Sequence, residues 1–324
     1  MASRGLSRNG SLFARHVSTS RVPYRCFSCS LRALQSQPQS NSSPADTHFG
    51  YESVPESEKA SRVGSVFTSV APSYDTMNDL MSMGVHRLWK DYFVRSIDPG
   101  IRPPSSDPES KPASQTILDV AGGTGDIALR ILDHVTLIKN DTASHVIVSD
   151  INPAMLSAGR ARLASSPYLR TNRLSFLEAD AEKFPTIANN SIDLYTIAFG
   201  IRNFTSIPAA LSTAYRVLKP GGVFACLEFG KVENRVLNGL YKRWSFGAIP
   251  MIGQLVAGDR DSYQYLVESI ERFPDQGAFQ GLIEQAGFLV PRYGGPREVE
   301  EGGGRGWVDL TGGVASVHKG VKPI

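Results

Sequence analysis

A glycine-rich turn at residues 122–125 constrains the fold of this chain more than any other feature of its sequence. The turn, Gly-Gly-Thr-Gly, follows the apolar run Thr116–Val120 and precedes a stretch with apolar residues at Ile127, Ile131 and Val135. The run is typical of a buried strand, and the later spacing is typical of a helix that packs on one face. Because glycine lets a backbone approach a ligand closely, this strand–turn–helix unit predicts an α/β fold with a ligand at the turn.

The chain beyond this turn continues to alternate between strand and helix patterns. Helical patterns begin near Pro153, cover residues 207–218 and return around Phe279. Apolar runs that predict strands occur at residues 116–120, 145–149, 174–177, 192–197 and 223–229. Such alternation predicts a doubly wound α/β sheet with helices on both faces, in which ligands bind beyond the carboxyl ends of the strands.

Helical and proline-rich segments precede the first of these strands. Helices are predicted at about residues 59–70 and 78–96, and the polar residues 46–58 before them are predicted to be a linker. Residues 98–114 contain five prolines and are predicted to be a loop or surface insertion. The predicted folded domain is therefore 59–324.

Residues 1–45 differ in composition from the rest of the chain. They contain six arginines and eleven serines but no lysine, aspartate or glutamate. On a helical projection Arg4, Arg8 and Arg15 lie opposite the apolar residues of the segment. An Arg-rich, Ser-rich, acid-free and amphipathic N-terminus is typical of a mitochondrial transit peptide. The alternative is a disordered basic tail.

The net positive charge of the chain comes entirely from this segment. Six of the 34 basic residues and none of the 31 acidic residues fall in residues 1–45, so residues 46–324 have 28 against 31 and a formal charge of −3. Charge therefore gives no support for a nucleic-acid partner of the folded part.

Other functional classes are excluded by residue counts and spacing. Three cysteines, of which Cys26 and Cys29 lie in the N-terminal segment, do not make a disulfide framework. The six histidines have no metal-ligand spacing, so no metal site is predicted. No run of 18 apolar residues predicts a membrane-spanning helix. The most apolar stretch, residues 236–256, is interrupted by charges and glycines and is predicted to form helical pieces that line a groove or lie on a surface.

Two aspartates follow strands of the predicted sheet. Asp150 ends the second strand, where a carboxylate can accept both hydroxyls of a ribose. Asp180 comes after the third strand, where its carboxylate can accept from an adenine amino group and the N–H of Ala181 can donate to the ring. The two positions predict a cofactor that contains a nucleoside.

The glycine turn alone does not identify the cofactor. Gly123, Gly125 and Ala128 also satisfy the dinucleotide pattern, so the turn fits NAD as well as S-adenosyl-L-methionine. Asp119 before the turn and the Asp180-Ala181 pair favour S-adenosyl-L-methionine.

A set of motifs resembles the motif series of class I S-adenosyl-L-methionine-dependent methyltransferases: residues 117–126, Asp150, Asp180-Ala181 and residues 216–222. Further motifs narrow the resemblance to the ubiquinone and menaquinone biosynthesis C-methyltransferases: residues 74–78 with Ser82, His86 and Trp89, residues 198–203, and residues 310–314. The resemblance covers about residues 62–320. It departs from the family at the proline-rich insertion and at Gly230, where a serine is usual. It implies a Rossmann-like sheet with helices on both faces and an N-terminal helical lid.

The resemblance also implies the cofactor and the residues that bind it. The cofactor is expected to be S-adenosyl-L-methionine. Gly123 and Thr124 are expected at its methionine part, Asp150 at the ribose, and Asp180 with Ala181 at the adenine.

The reaction implied by the resemblance is methyl transfer to a ring carbon of a polyprenyl benzoquinol. Arg202 and Asn203 follow the fourth strand, where enzymes of this class place groups that face the transferred methyl. Arg202 is expected to stabilise phenolate character or to orient a water as base, and Asn203 to fix a quinol oxygen. Tyr74, in the lid segment, is the third catalytic candidate. The alternatives are a structural salt bridge for Arg202 and ordinary packing for Tyr74.

Location, partners and rival functions complete the predictions. With the transit peptide, the resemblance implies peripheral attachment to the matrix side of the mitochondrial inner membrane and a place in a multi-protein ubiquinone-synthesis assembly. Residues 236–256 are expected either to form a groove for the polyprenyl tail or to be plain core. The rivals are an NAD-dependent oxidoreductase, for which no proton donor is found, and a non-catalytic scaffold, which need not keep Gly123, Asp150 and Asp180.

Overall fold

The computed structural model describes residues 46–71, 74–100, 114–293 and 304–324. Its centre is a seven-stranded sheet with the strand order β5-β4-β3-β6-β7-β9-β8. The strands are β1 (Asp46–Phe49), β2 (Glu52–Pro55), β3 (Thr116–Val120), β4 (His145–Asp150), β5 (Leu174–Glu178), β6 (Ile192–Ala198), β7 (Leu218–Phe229), β8 (Trp307–Leu310) and β9 (Ala315–Val321). Strands β3 to β7 are parallel, and β9 pairs antiparallel with both β7 and β8.

Helices cover both faces of this sheet. They are α1 (Glu56–Val70), α2 (Tyr74–Ser82), α3 (Val85–Ile97), α4 (Asp126–Leu137), α5 (Pro153–Leu163), α6 (Pro167–Arg170), α7 (Ile207–Val217), α8 (Arg235–Arg243), α9 (Ile249–Ala257), α10 (Arg260–Arg272) and α11 (Gln276–Gln285), with a π-helical segment, Trp244–Ala248, between α8 and α9. None of the helices in the described ranges is long and apolar enough to cross a membrane.

Alternate residues of the central strands build two separate cores. Ile117 of β3 packs with α3, α4 and α5 in one cluster. Its neighbour Leu118 packs with α7 and α11 in the other cluster. Because successive side chains of a strand point to opposite faces, a strand such as β3, in which successive residues are buried, must be covered on both sides. The predicted doubly wound α/β architecture is therefore confirmed.

The N-terminal part of the described chain differs from the sequence-based expectation. Residues 46–58, expected as a linker, form the β1–β2 hairpin and the first turn of α1. The single helix expected at residues 78–96 is two helices, because Met83 (φ 50°) and Gly84 (φ 77°) turn the chain between α2 and α3. Neither β8, β9 nor α10 was predicted.

Two predicted segments fall largely outside the described residues. Residues 1–45, the predicted transit peptide, lie wholly outside them. Residues 101–113, most of the proline-rich insertion, do so as well.

Candidate active site

A cavity of about 510 Å³ lies at the carboxyl ends of β3, β4, β5 and β6. This is the edge of the sheet that the alternation of strands and helices predicts for a ligand. The glycine turn lines the cavity, and α1 contributes Glu56, Val63 and Phe67 from the N-terminal side. All five residues predicted for the cofactor line it: Gly123, Thr124, Asp150, Asp180 and Ala181.

The glycine turn is tight because neighbouring atoms leave no room for side chains. A Cβ atom at Gly123 would lie 2.8 Å from Met155 Cε, and the residue has a φ of 49°. On the facing helix α5, a Cβ atom at Gly159 would lie 2.7 Å from the Gly123 carbonyl oxygen. Glycine on both sides therefore allows α5 to pack directly against the turn.

Asp150 joins the turn to the end of β4. Its Oδ2 accepts a hydrogen bond from the Gly123 N–H (3.0 Å), and its Oδ1 accepts one from the Asn152 N–H (2.9 Å). Burial raises the pKa of Asp150 to about 6, although these backbone donors favour the charged form. A carboxylate has about four acceptor positions, so each oxygen can still accept a bond from a ligand in the cavity.

Asp180 and its neighbours form the side of the cavity beyond β5. Its Oδ1 accepts from the Glu182 N–H (3.0 Å), and its Oδ2 lies 2.9 Å from Lys183 Nζ. Ala181 is buried beside it. Across the cavity, Thr124 Oγ1 accepts from Arg162 Nη1 (3.2 Å).

Asp119 lies beneath the turn and is almost wholly buried. Its Oδ1 accepts from Thr196 Oγ1 (2.9 Å), whereas its buried Oδ2 has no hydrogen-bond partner among the described residues. Burial raises the pKa of Asp119 to about 7. The floor of the cavity thus contains a carboxyl group that can be protonated near neutral pH.

Sequence reasoning missed Lys90, which brings a cation to the cavity from α3. The side chain is buried, and its Nζ lies 2.9 Å from Asp126 Oδ2. Burial favours the neutral form of Asp126, but Lys90, Arg130 and Arg162 outweigh it and lower the pKa of Asp126 to about 2. The available signal was a lysine next to Trp89 within the apolar stripe of an amphipathic helix, because buried lysines need a partner or a function.

Arg202 lies in a short 3₁₀ turn after β6 and is held by several acceptors. Its Nη1 donates to the Phe199 carbonyl oxygen (2.6 Å) and to Glu228 Oε1 (2.9 Å), and its Nε donates to Ser269 Oγ (3.3 Å). The side chain is only 5% exposed and that of Glu228 is fully buried. Burial raises the pKa of Glu228, and the Arg202 charge opposes this shift. The structural salt bridge considered for Arg202 is present.

One nitrogen of Arg202 remains available for a further contact. Nη2 has no hydrogen-bond partner in the described part of the chain, and Arg202 lines a second cavity of about 160 Å³. That cavity is mostly apolar. Its lining includes Met81, Met83, His86, Trp89, Phe199, Phe229, Tyr241, Trp244, Ile249, Leu266 and Ile270.

Phe199 lines both cavities. Its backbone has a φ of 56°, which is strained for a residue with a bulky side chain. The ring centroid lies 4.8 Å from that of Phe229 and 6.2 Å from that of Trp89. Phe199 thus lies where the larger cavity meets the smaller one.

Asn203 belongs to the larger cavity, next to the residue that lines the smaller one. Its Oδ1 accepts a hydrogen bond from the Tyr265 hydroxyl (3.0 Å). The Tyr265 ring stacks on Phe49 of the β1–β2 hairpin with centroids 4.2 Å apart. The hairpin that replaces the expected linker therefore supports a predicted site residue.

The third catalytic candidate, Tyr74, is placed by its backbone alone. It begins α2, and the later residues Asn78, Met81 and Ser82 of that helix line the second cavity. The side chain of Tyr74 lies outside the part of the structure that is described.

Gly230, where the chain departs from the resembled family, lies in a crowded position. A Cβ atom there would lie 2.7 Å from Gln276 Nε2 and 2.8 Å from the Gly313 carbonyl oxygen. Gln276 also donates from Nε2 to the Lys231 carbonyl oxygen and to Asp309 Oδ1. A serine at position 230 would have to displace this network.

Comparison with known proteins gives one consistent result. The model of the ubiE/COQ5 methyltransferase family matches residues 55–322. The chain is 48% identical over 305 residues to the mitochondrial 2-methoxy-6-polyprenyl-1,4-benzoquinol methylase of Schizosaccharomyces pombe, covering 94% of this chain and 93% of that protein. It is 48% identical over 274 residues to the ubiquinone/menaquinone biosynthesis C-methyltransferase UbiE of Brucella abortus, covering 85% and 90%. It is 41% identical over 337 residues to the mitochondrial 2-methoxy-6-polyprenyl-1,4-benzoquinol methylase of Danio rerio, covering 95% and 93%.

Proposed function

Because the chain belongs to the ubiE/COQ5 methyltransferase family, we propose that it methylates a ring carbon of 2-methoxy-6-polyprenyl-1,4-benzoquinol in ubiquinone biosynthesis. The proposed methyl donor is S-adenosyl-L-methionine. The observation that carries the proposal is the pair of cavities that share Phe199, one lined by the predicted cofactor residues and the other mostly apolar. The first suits a nucleoside and the second suits an aromatic ring with an apolar tail.

The residues of the larger cavity fit the proposed donor. Asp150 would accept from the ribose hydroxyls with the acceptor positions that Gly123 and Asn152 leave free. Asp180 and Ala181 would meet the adenine. The backbone of Gly123 and the side chain of Thr124 would hold the methionine part, with Lys90 as the cation for its carboxylate.

When bound, S-adenosyl-L-methionine supplies a methyl group activated by its sulfonium. The residues of the chain then have to align the ring carbon with that methyl and to manage one proton. Arg202 would donate from Nη2 to the quinol oxygen that gains phenolate character, while Glu228 keeps the guanidinium in place. Asn203 would fix a quinol oxygen from the cofactor side, and Tyr74 remains a further candidate for this contact.

The proposed location and partners follow from the mitochondrial relatives and from residues 1–45. We propose that the enzyme acts on the matrix side of the mitochondrial inner membrane as a peripheral protein, in a multi-protein ubiquinone-synthesis assembly. The two relatives from Schizosaccharomyces pombe and Danio rerio that are named mitochondrial support the compartment.

A binding and product experiment tests the proposal. The purified chain is titrated by calorimetry with S-adenosylhomocysteine and, separately, with NADH. It is then incubated with S-adenosyl-L-methionine and a short-tailed 2-methoxy-6-prenyl benzoquinol under reducing conditions, and the product is identified by mass spectrometry. We expect binding of S-adenosylhomocysteine alone and addition of one methyl group to the ring. Binding of NADH alone would favour an oxidoreductase, and cofactor binding without product would contradict the proposed substrate.

A further inference from the structure

The helical segment 235–257 exposes apolar side chains on its outer side. It consists of α8, the π-helical segment and α9. Val236 is 75% exposed, Leu240 61% and Met251 60%. At helical spacing these positions fall on one face together with Arg243. We call Val236, Leu240, Arg243 and Met251 the outer face.

The charge of this segment differs from that of the chain around it. Residues 234–258 contain Arg235, Lys242 and Arg243 but no aspartate or glutamate, whereas residues 46–324 together have a formal charge of −3. Lys242 lies 3.2 Å from Glu271. Arg235 and Arg243 form no ion pair with any residue that the structure describes. The outer face thus combines exposed apolar groups with the cation of Arg243, and Arg235 adds a second cation at the start of the same segment.

The opposite side of the same segment forms a wall of the second cavity. Tyr241, Trp244 and Ile249 line that cavity, and Trp244 Nε1 donates to the Met81 carbonyl oxygen of α2 (3.0 Å). Met83 lines the cavity as well and is 74% exposed, so the cavity reaches the protein surface beside the segment. The outer face and the entrance to the apolar cavity therefore belong to one structural unit.

We propose that the outer face lies on an anionic lipid surface, with the entrance of the second cavity at that surface. The inference rests on the proposed function, because a polyprenyl quinol resides in a bilayer and has to leave it without crossing water. An amphipathic helix with cations and large apolar groups on its free face suits such a surface. The segment then acts as both the contact with the lipid and the wall along which the apolar tail passes.

A second copy of the chain is the rival occupant of the outer face. In a symmetric dimer the same patch meets itself, which would bring Arg243 of one copy near the outer face of the other without any acidic residue of the segment to neutralise it. An anionic lipid surface supplies the missing negative charge. Charge complementarity therefore favours lipid over a second copy.

The first test measures binding of the full chain to vesicles of phosphatidylcholine alone and of phosphatidylcholine mixed with cardiolipin. The double variant Leu240→Asp/Arg243→Glu is compared with Leu137→Asp/Arg170→Glu, which makes the same charge change at exposed positions of α4 and α6. We expect a roughly ten-fold lower partition coefficient on the mixed vesicles for the first variant and little change for the control. Equal binding of both variants would overturn the proposal.

Hydrogen exchange locates the contact independently of residues 1–45. We expect residues 235–251 of the wild-type chain to gain protection when mixed vesicles are added, and the same residues of the double variant to gain none. Absence of protection in the wild type would refute the proposal. If the double variant had a lower molecular mass by light scattering than the wild type but kept the same protection on vesicles, the outer face would be assigned to a second copy instead.

Activity separates this inference from the proposed function. Turnover of a short-tailed quinol in solution should stay within about two-fold of wild type in the double variant, because the outer face touches neither cavity directly. Turnover of a long-tailed quinol embedded in mixed vesicles should fall with vesicle binding. Failure to methylate the soluble quinol at all would contradict the proposed function while leaving the vesicle result standing.

Discussion

Asp150 illustrates how one side chain can serve both the fold and a ligand. Its carboxylate holds the glycine turn through Gly123 and the start of α5 through Asn152. The same burial that makes these bonds strong raises its pKa to about 6. Two pH trends of opposite sign follow from this one shift.

Cofactor affinity should weaken in acid. As the pH falls through about 6, Asp150 becomes protonated and loses acceptor strength toward the ribose hydroxyls. Folding shows the reverse trend: because the folded-state pKa lies above the usual value of about 4, the group favours folding in acid and loses that contribution as the pH rises through about 6. Calorimetry with S-adenosylhomocysteine from about pH 5 to about pH 8 measures the first trend. Asp150→Asn should bind more weakly at every pH, and an equal slope in this variant would show that another group titrates.

Arg202 should be sensitive to a change that conserves its charge. Lysine cannot reach the Phe199 carbonyl, Glu228 and Ser269 together, because an ammonium lacks the planar fork of a guanidinium. Arg202→Lys should therefore lower kcat by about ten-fold or more while the dissociation constant for S-adenosylhomocysteine stays nearly constant. The exposed Arg170→Lys is the control. Wild-type turnover in Arg202→Lys would leave the residue with a purely structural role.

Lys90 should affect the cofactor more than the chemical step. Removing its charge takes a cation from the larger cavity, while Arg130 and Arg162 still neutralise Asp126. Lys90→Gln is expected to raise the KM for S-adenosyl-L-methionine by about ten-fold with a smaller change in kcat. Arg95→Gln, on an exposed side of the same helix, should leave both constants unchanged. A loss of kcat alone would place Lys90 at the reacting atoms rather than at the carboxylate.

Helix α5 packs directly against the glycine turn of the site. Gly159→Ala would press a methyl group against the Gly123 carbonyl oxygen, so it should destabilise the fold by about 1–3 kcal/mol and weaken cofactor binding. Gly281→Ala is the matched change on α11, where a Cβ atom meets nothing within 4 Å. Helix propensity predicts that this control is stabilising by up to about 1 kcal/mol. Thermal unfolding of both variants tests the contrast, and equal melting temperatures would argue against steric control at the turn.

The strands and helices that the sequence predicted well are those with an uninterrupted local pattern. Strand β3 has the predicted bounds because an apolar run ends at a glycine turn, and α5 begins at the predicted Pro153. Strand β9 escaped prediction because His318 and Gly320 interrupt its apolar pattern. Tertiary packing, rather than a local pattern, stabilises β9: His318 is buried against Phe279 with ring centroids 4.9 Å apart.

The same distinction holds for the candidate site. Gly123, Asp150 and Asp180 could be predicted because each follows a strand whose position the local pattern sets. Lys90 and Tyr265 could not, because helices distant in sequence bring Lys90 to the larger cavity and Tyr265 to Asn203. The hairpin β1–β2 was missed for a related reason: its polar composition suits a linker, and the contacts that tie it to the core are tertiary, among them Phe49 stacking on Tyr265 and the burial of Val54.

For the molecule as a whole, residues 1–45 differ from the remainder in the sign of their net charge. A fluorescent protein fused after residue 45 should be imported into mitochondria, because the segment has arginines on one helical side and no acidic residue. The same fusion with its six arginines changed to glutamine is the control and should stay in the cytosol. A cytosolic signal from the unchanged segment would contradict the predicted transit peptide.

Strand β9 has a consequence for the order in which the molecule can be assembled. It lies between β7 and β8 in the sheet, and both of these strands come before it in the chain. During synthesis or threading from the N-terminus, the parallel strands can therefore form while the edge of β7 still has unpaired N–H and C=O groups. Residues 223–229 pair with residues 315–321, which form the last strand to be synthesised. Until β9 pairs, this apolar edge is open to pairing with other chains. A ribosome stall or a truncation within β9 should therefore cause aggregation, even though every residue predicted to bind the cofactor has already been synthesised.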